Sequence, residues 1–252
     1  MKNVNEMIRG IGRLLPEAVD LLYPPICPFC GGILAGEEAR AAGTHRACFA
    51  RARRAREPLC KKCGKPVLLY EQEYCSDCAR HTRSFESGHG LWLYEPVTAG
   101  AIFLYKYKGR QELAPFFGRA LLHYYGDWMA GLDADALIPV PISRARYGHR
   151  GFNQAALLAG QLSGPLGLPV LEGAILRTGR TLPQKALGSR QRYANLAGAF
   201  TARPERLKGI RRVLLVDDIY TTGSTIEAVT RTLLEAGVEK VWFISLCIGR
   251  QD

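Results

Sequence analysis

The chain has 252 residues, 47% hydrophobic and 23% charged, and its 34 lysines and arginines against 23 acidic residues give a net charge of +11. That length accommodates one domain of about 150–200 residues plus a smaller companion, and the average composition excludes extensive disorder. No apolar run approaches the roughly 18–20 residues of a membrane span, and residues 1–20 lack the apolar core of a secretion signal. The expectation is therefore a cytoplasmic protein with no transmembrane segment. Its basic excess favours an anionic partner: phosphate, nucleic acid or an acidic membrane face.

In chain order, Val4, Met7, Ile8, Ile11, Leu14, Leu15, Ala18, Leu21 and Leu22 recur at helical spacing until Pro24-Pro25. An amphipathic helix is expected over residues 1–24. Packing on the body of the protein is its first expected role. With Arg9 and Arg13 on the other side, peripheral binding at the inner face of the membrane is the second.

Seven of the eight cysteines fall between Cys27 and Cys78, which in a chain without a secretion signal points to metal rather than disulfides. Ligand pairs recur at two-residue spacing: Cys27/Cys30, His45/Cys48, Cys60/Cys63 and Cys75/Cys78. A C-x-x-C turn sets two thiolates on one side of a tetrahedral ion, and a second pair about 15 residues later completes it, the spacing of a zinc ribbon. Residues 25–87 are thus expected to form a double zinc-ribbon module holding one or two structural Zn2+ ions. Cys60, Cys63, Cys75 and Cys78 make the second site; Cys27, Cys30, His45 and Cys48 make the first, with a crossed pairing still open. Neither leaves an open position for water. Between them, the arginines of residues 50–56 read as a solvated helix face or a phosphate contact.

From residue 88 the cysteines give way to alternating apolar runs and helical patterns. Strands are expected at 90–94, 136–140, 213–216 and 241–247, with helices at 97–107, 111–126, 152–163 and 223–236. Such alternation implies an α/β domain over residues 88–252 with a parallel sheet. In residues 211–225, RRVLLVDDIYTTGST, an apolar strand runs into two carboxylates, a hydroxyl-rich turn and a helix. Ligands of open α/β sheets bind beyond the carboxyl ends of strands, where a loop feeds a helix N-terminus. Thr221, Thr222, Gly223, Ser224 and Thr225 are suited to wrap one monophosphate. Asp217 and Asp218 would repel phosphate and are suited to accept hydrogen bonds from ribose hydroxyls. Neither G-x-x-x-x-G-K-[ST] nor G-x-G-x-x-G after a strand occurs, which disfavours an ATP-driven motor.

VLLVDDIYTTGST resembles the phosphoribosyl pyrophosphate (PRPP) loop of type I phosphoribosyltransferases. Together with LLYPPICPFC at residues 21–30, YKYKG at 105–109, PVP and RGFNQA within 139–155, and Gln184, Arg192, Asn195, Gly198 and Phe200, the chain resembles the ComF family of ComFC-type competence proteins. The resemblance implies a type I phosphoribosyltransferase-like parallel-sheet domain preceded by a small zinc-ribbon module. It also implies a PRPP or ribose 5-phosphate ligand with Mg2+, and a role in single-stranded DNA uptake in natural transformation, in company with the DNA-uptake machinery. By the same likeness, the loop with Ser143, Arg144, Arg146 and Arg150 would hold pyrophosphate. Residues 178–195, with Arg180, Lys185, Arg190 and Arg192, would form a lid, although Ala197 stands where the family has a basic residue.

Two functions follow. One is a DNA-handling protein in which Tyr105, Lys106, Tyr107, Lys108 and Arg110, with Tyr147 and Phe152 flanked by Arg146 and Arg150, contact single strands by charge and base stacking; the other reading of each cluster places its aromatics in the core and leaves its cations solvated. The alternative is an enzyme transferring ribose 5-phosphate from Mg-PRPP to an acceptor, by electrostatic stabilisation and exclusion of water.

Overall fold

The computed structural model describes residues 23–178 and 198–250. The helix expected over 1–24 and the lid expected over 178–195, with Arg180, Lys185, Arg190 and Arg192, lie almost wholly outside the described residues. The chain forms two compact units that divide between Ala52 and Arg53.

In the first unit the backbone turns tightly at Cys27: Gly31 N–H donates to the Cys27 carbonyl and Cys27 N–H to Gly32, each at 2.8 Å. Two short helices follow, α1 (Glu37–Ala42) and α2 (Arg46–Arg51), the second carrying Cys48. Phe29 and Phe49 meet edge to face, and Ile26, Phe29 and Leu34 are buried.

The second unit opens on a strand-like segment. Arg53 and Ala55 bond to Leu93 and Leu91 across the bridge between Arg54 and Trp92. Arg54 lies over the Tyr124 ring at 3.9 Å and Arg53 pairs with Glu95, so these two arginines of residues 50–56 are engaged within the fold rather than lining a helix face. The turn at Cys60 repeats the one at Cys27, with Gly64 donating to the Cys60 carbonyl and Cys60 to Lys65, both at 2.8 Å. Cys75 then precedes α3 (Ser76–Arg80), which carries Cys78.

The remaining elements are β1 (Gly88–Leu93), α4 (Pro96–Tyr107), α5 (Ala114–Ala130), β2 (Ala136–Pro139), α6 (Arg144–Arg150), α7 (Gln154–Leu166), β3 (Ile175–Arg177), β4 (Phe200–Ala202), β5 (Arg212–Tyr220), α8 (Ser224–Glu235) and β6 (Lys240–Ile248). The main sheet has the order β1-β6-β5-β2 with every neighbouring pair parallel. Buried Val213, Leu214, Leu215 and Val216 make β5 apolar on both faces, as a central parallel strand requires. β3 and β4 pair separately as an antiparallel hairpin, with Ile175 opposite Ala202; neither is among the expected strands, because three-residue strands carry too little periodicity to read.

Residues 25–87, expected as one module, are shared between the two compact units. The cause is burial. Cys60, Cys63, Cys75 and Val67 belong to one apolar core with Phe85, Tyr220, Ile226 and Phe243 of the sheet domain. Phe85 meets Tyr220 and Phe243 edge-on, and those two rings stack at 4.5 Å. At Gly64, φ is 73° and a Cβ would lie 2.6 Å from the Gly88 carbonyl oxygen, so a side chain would force the second ribbon from β1.

Candidate ligand cup and metal centres

The two metal candidates come together as expected, the potential ligand atoms of each set all lying within 4.8 Å of one another. In the second set Cys63 and Cys75 sulfurs are 3.6 Å apart, close to the roughly 3.8 Å edge of a tetrahedron with Zn–S bonds of about 2.3 Å. Hydrogen bonds among these thiols hold Cys60 far below the ordinary thiol range and push Cys63 far above it. Four sulfurs this close cannot all ionise without a cation, and Zn2+ supplies one.

In the first set His45 Nδ1 lies 3.4 Å from Cys30 Sγ and 3.9 Å from Cys48 Sγ, while Nε2 is 3.1 Å from the Ile33 carbonyl. A proton on Nε2, donated to that carbonyl, leaves Nδ1 as the ligand, the usual outer support of a metal-binding histidine. Against the upward push of burial, the Thr44 hydroxyl and turn amides hold the Cys27 thiol down at about 6. Both donor sets fit zinc and are complete with four protein ligands, so both are structural.

The loop expected to hold phosphate lies at the carboxyl end of β5. The strand continues through both carboxylates to Tyr220, so Asp217 and Asp218 project from a ladder held by β6, with Asp217 opposite Ser245. The sequence places them just beyond the strand; the extra residues of pairing fix them more firmly. Gly223 has φ 76°, and a Cβ there would stand 2.4 Å from Tyr220 Oη, so only glycine makes this turn into α8. Thr222 and Ser224 hydroxyls are 2.7 Å apart at the mouth of the α8 N-terminus, where helix amides favour an anion.

Burial and the neighbouring Asp218 push the Asp217 carboxyl up to about 8, with Lys106 opposing. Lys106 Nζ sits 2.8 Å from Asp218 Oδ1, and both side chains are largely buried. Helix α4 brings this lysine to the cup from a distant part of the sequence. Lys106, expected as a nucleic-acid contact, is therefore a cup residue. Tyr105 is fully buried, its hydroxyl donating to the Gln154 carbonyl at 3.0 Å, and Phe152 is buried against it. Neither buried ring is free to stack on a base: Tyr105 is on the core side of α4, and Phe152 packs against it. Tyr107 and Lys108 are exposed; Arg110 pairs with Glu112. Tyr107 adjoins exposed Phe103 at 5.3 Å and carries Arg150 over its ring at 4.7 Å.

The loop after β2 opens on the same sheet end as the cup, since β2 is parallel to β5. Ser143 caps α6 by accepting from Arg146 N–H, and Asn153 ties the far end back by donating to the Val140 carbonyl at 3.1 Å. Arg144 and Arg146 are exposed, whereas Arg150 is held by Gln154 Oε1 at 2.9 Å. Of the lid candidates, Lys185, Arg190 and Arg192 are outside the described residues. One cation was missed: Arg177, at the end of β3, whose burial and proximity to Arg146 lower its pKa while Asp217 opposes. Its guanidinium lies over the Phe200 ring at 5.5 Å, and no local motif marks it.

Among the described residues no helix is long and apolar enough to cross a membrane. Residues 18–79 match a double zinc ribbon domain and residues 150–252 a phosphoribosyl transferase domain. The chain is 32% identical over 198 residues to competence protein F of Haemophilus influenzae, covering 73% of this chain and 82% of that one. It is 32% identical over 200 residues to the DNA utilization protein YhgH of Escherichia coli K12, covering 78% and 87%. Competence protein ComFC of Bacillus subtilis is 25% identical over 190 residues, covering 71% and 72%. With a zinc-ribbon segment ahead of a parallel-sheet phosphoribosyltransferase domain, and that identity across most of its length, the chain belongs to the ComF family.

Proposed function

We propose that this protein binds Mg-PRPP in the cup at the end of β5 and handles single-stranded DNA during its uptake in natural transformation. The observation that carries the ligand assignment is the β5–α8 junction: two carboxylates on a clamped strand, then a hydroxyl-rich turn possible only with Gly223, then a helix N-terminus. In this arrangement Thr221, Thr222, Ser224, Thr225 and the first turn of α8 hold the 5-phosphate. Asp217 and Asp218 accept from the ribose hydroxyls, with Lys106 keeping Asp218 oriented. Ser143 and Arg146 lie on the loop suited to the pyrophosphate, and Mg2+ comes with the ligand's own oxygens.

The relatives' names, competence protein and DNA utilization protein, support the DNA role. The stacking surface fits Phe103 and Tyr107, which are exposed, with Arg150 and Lys108 beside them. Fluorescence anisotropy with a labelled oligonucleotide tests it. Single strands should bind in preference to duplex, with log affinity falling against log salt by about 0.7 per phosphate neutralised. Tyr107→Ala with Lys108→Ala should weaken binding and flatten that slope while leaving PRPP affinity intact. Duplex preference, or a slope unchanged in the double variant, would remove this face.

Turnover is a second reading, favoured by the buried Arg177, whose charge is felt by Asp217 of the cup and by Arg146 of the loop after β2. The anomeric C1–O bond to pyrophosphate would break as an acceptor nucleophile bonds to C1, with the cations stabilising the departing charge. Pyrophosphate release from Mg-PRPP on addition of single-stranded DNA or nucleobases is the assay; no release with any acceptor leaves binding as the function.

A further inference from the structure

Three consecutive residues after the last cysteine of the second metal site grip the phosphate loop and its helix. Arg83, only 5% exposed, donates from Nη2 to the Thr222 carbonyl at 2.9 Å. Ser84 donates from its backbone N–H and its hydroxyl to the two carboxylate oxygens of Glu227 at 2.9 and 2.7 Å. Phe85 is fully buried against Tyr220 and Phe243. Glu227 is itself buried on α8, accepts from Arg231 Nε at 2.8 Å, and donates its backbone N–H to the Gly223 carbonyl. The Arg83 guanidinium also bears on the Cys78 thiol and the Tyr220 hydroxyl. The buried guanidinium thus holds the backbone of the phosphate turn while lying within electrostatic reach of a zinc ligand.

We propose that Arg83 is a positioning residue coupling the zinc site at Cys60, Cys63, Cys75 and Cys78 to the phosphate loop, so that metal occupancy and phosphate-ligand occupancy each strengthen the other. The thiolates on zinc keep negative charge beside the guanidinium and fix where α3 ends, and hence where residues 81–83 start. Arg83 then holds the Thr222 carbonyl, and with it the curvature that aims the turn amides at the ligand. A carbonyl left unheld would cost a buried hydrogen bond and loosen the turn. Linkage makes the effect reciprocal: if zinc tightens the cup, a ligand in the cup retains zinc. This inference rests on the assignment of the cup as a PRPP site.

The test uses full-length, zinc-loaded protein with Cys30→Ser to empty the first site, Mg-PRPP as the ligand, and a chromophoric chelator to follow zinc release. Saturating Mg-PRPP should slow release several-fold. Adding Arg83→Gln should keep one zinc per chain by metal analysis, weaken Mg-PRPP binding about tenfold, abolish the protection of zinc, and speed amide exchange in residues 221–224. Arg83→Lys, which keeps the charge but not the fork, should restore part of the affinity. Parent-like affinity and zinc protection in Arg83→Gln would overturn the proposal, as would exchange raised equally throughout α5, which would mean general unfolding. If the parent binds no PRPP, the cup assignment fails instead, and exchange in residues 221–224 alone decides whether Arg83 holds the loop.

Discussion

Lys106 and Asp218 lie far apart in sequence, and no motif links them, yet their charges meet at 2.8 Å in a largely dry setting. Removing the lysine leaves a carboxylate beside raised Asp217 with less compensation. Lys106→Ala should therefore weaken PRPP binding by on the order of 1–3 kcal/mol, measured by calorimetry, and Lys106→Arg should recover part of it. Asp217 yields a pH signature. Its folded pKa of about 8 lies above the ordinary 3.8, so between about pH 4 and 8 the unfolded chain gives up this proton first and stability falls as pH rises. Asp217→Asn escapes that loss: thermal melts of ligand-free protein should show a gain that grows across the window and levels off above pH 8. An increment independent of pH would show that this carboxyl is ionised throughout.

At the scale of elements, β1, β2, β5, β6 and the long helices were readable because apolar runs and 3.6-residue periodicity report local physics. The metal sets were readable for a similar reason, since paired cysteines act through a short turn. For Tyr105 and Phe152 the sequence left core and base stacking both open, because an aromatic beside a cation has the same signature on the core and solvent sides of a helix; burial places both in the core. Arg83 and Arg177 were not found, and Lys106 was found in another role: each acquires its place from a partner brought in by topology. The second ribbon shows the same limit, for only the packing reveals that Cys60, Cys63 and Cys75 share a core with Tyr220 and Phe243. Cys63→Ser should accordingly destabilise the sheet domain as well as lose one zinc, whereas Cys30→Ser should lose one zinc and leave the main melting transition in place. Calorimetric melts with metal analysis distinguish them; an intact main transition in zinc-depleted Cys63→Ser would mean the ribbon is dispensable to the sheet.

Taken whole, the molecule gathers groups of opposite charge around one sheet end: the Asp217–Asp218 pair, Lys106 from α4, Arg177 from the β3–β4 hairpin and Arg146 from the loop after β2. A neutral metabolite would make little use of such a mixture. A ribose bearing a phosphate and a pyrophosphate presents hydroxyls to the acids and anions to the cations and the helix N-terminus. The most direct measurement is isothermal titration of the zinc-loaded protein with Mg-PRPP, alongside Asp218→Asn and Thr222→Ala. Saturable binding at one ligand per chain, weakened in each variant by on the order of 1–3 kcal/mol, is the expected result; absence of binding to the parent, or the same affinity in all three proteins, would contradict the assignment of the cup.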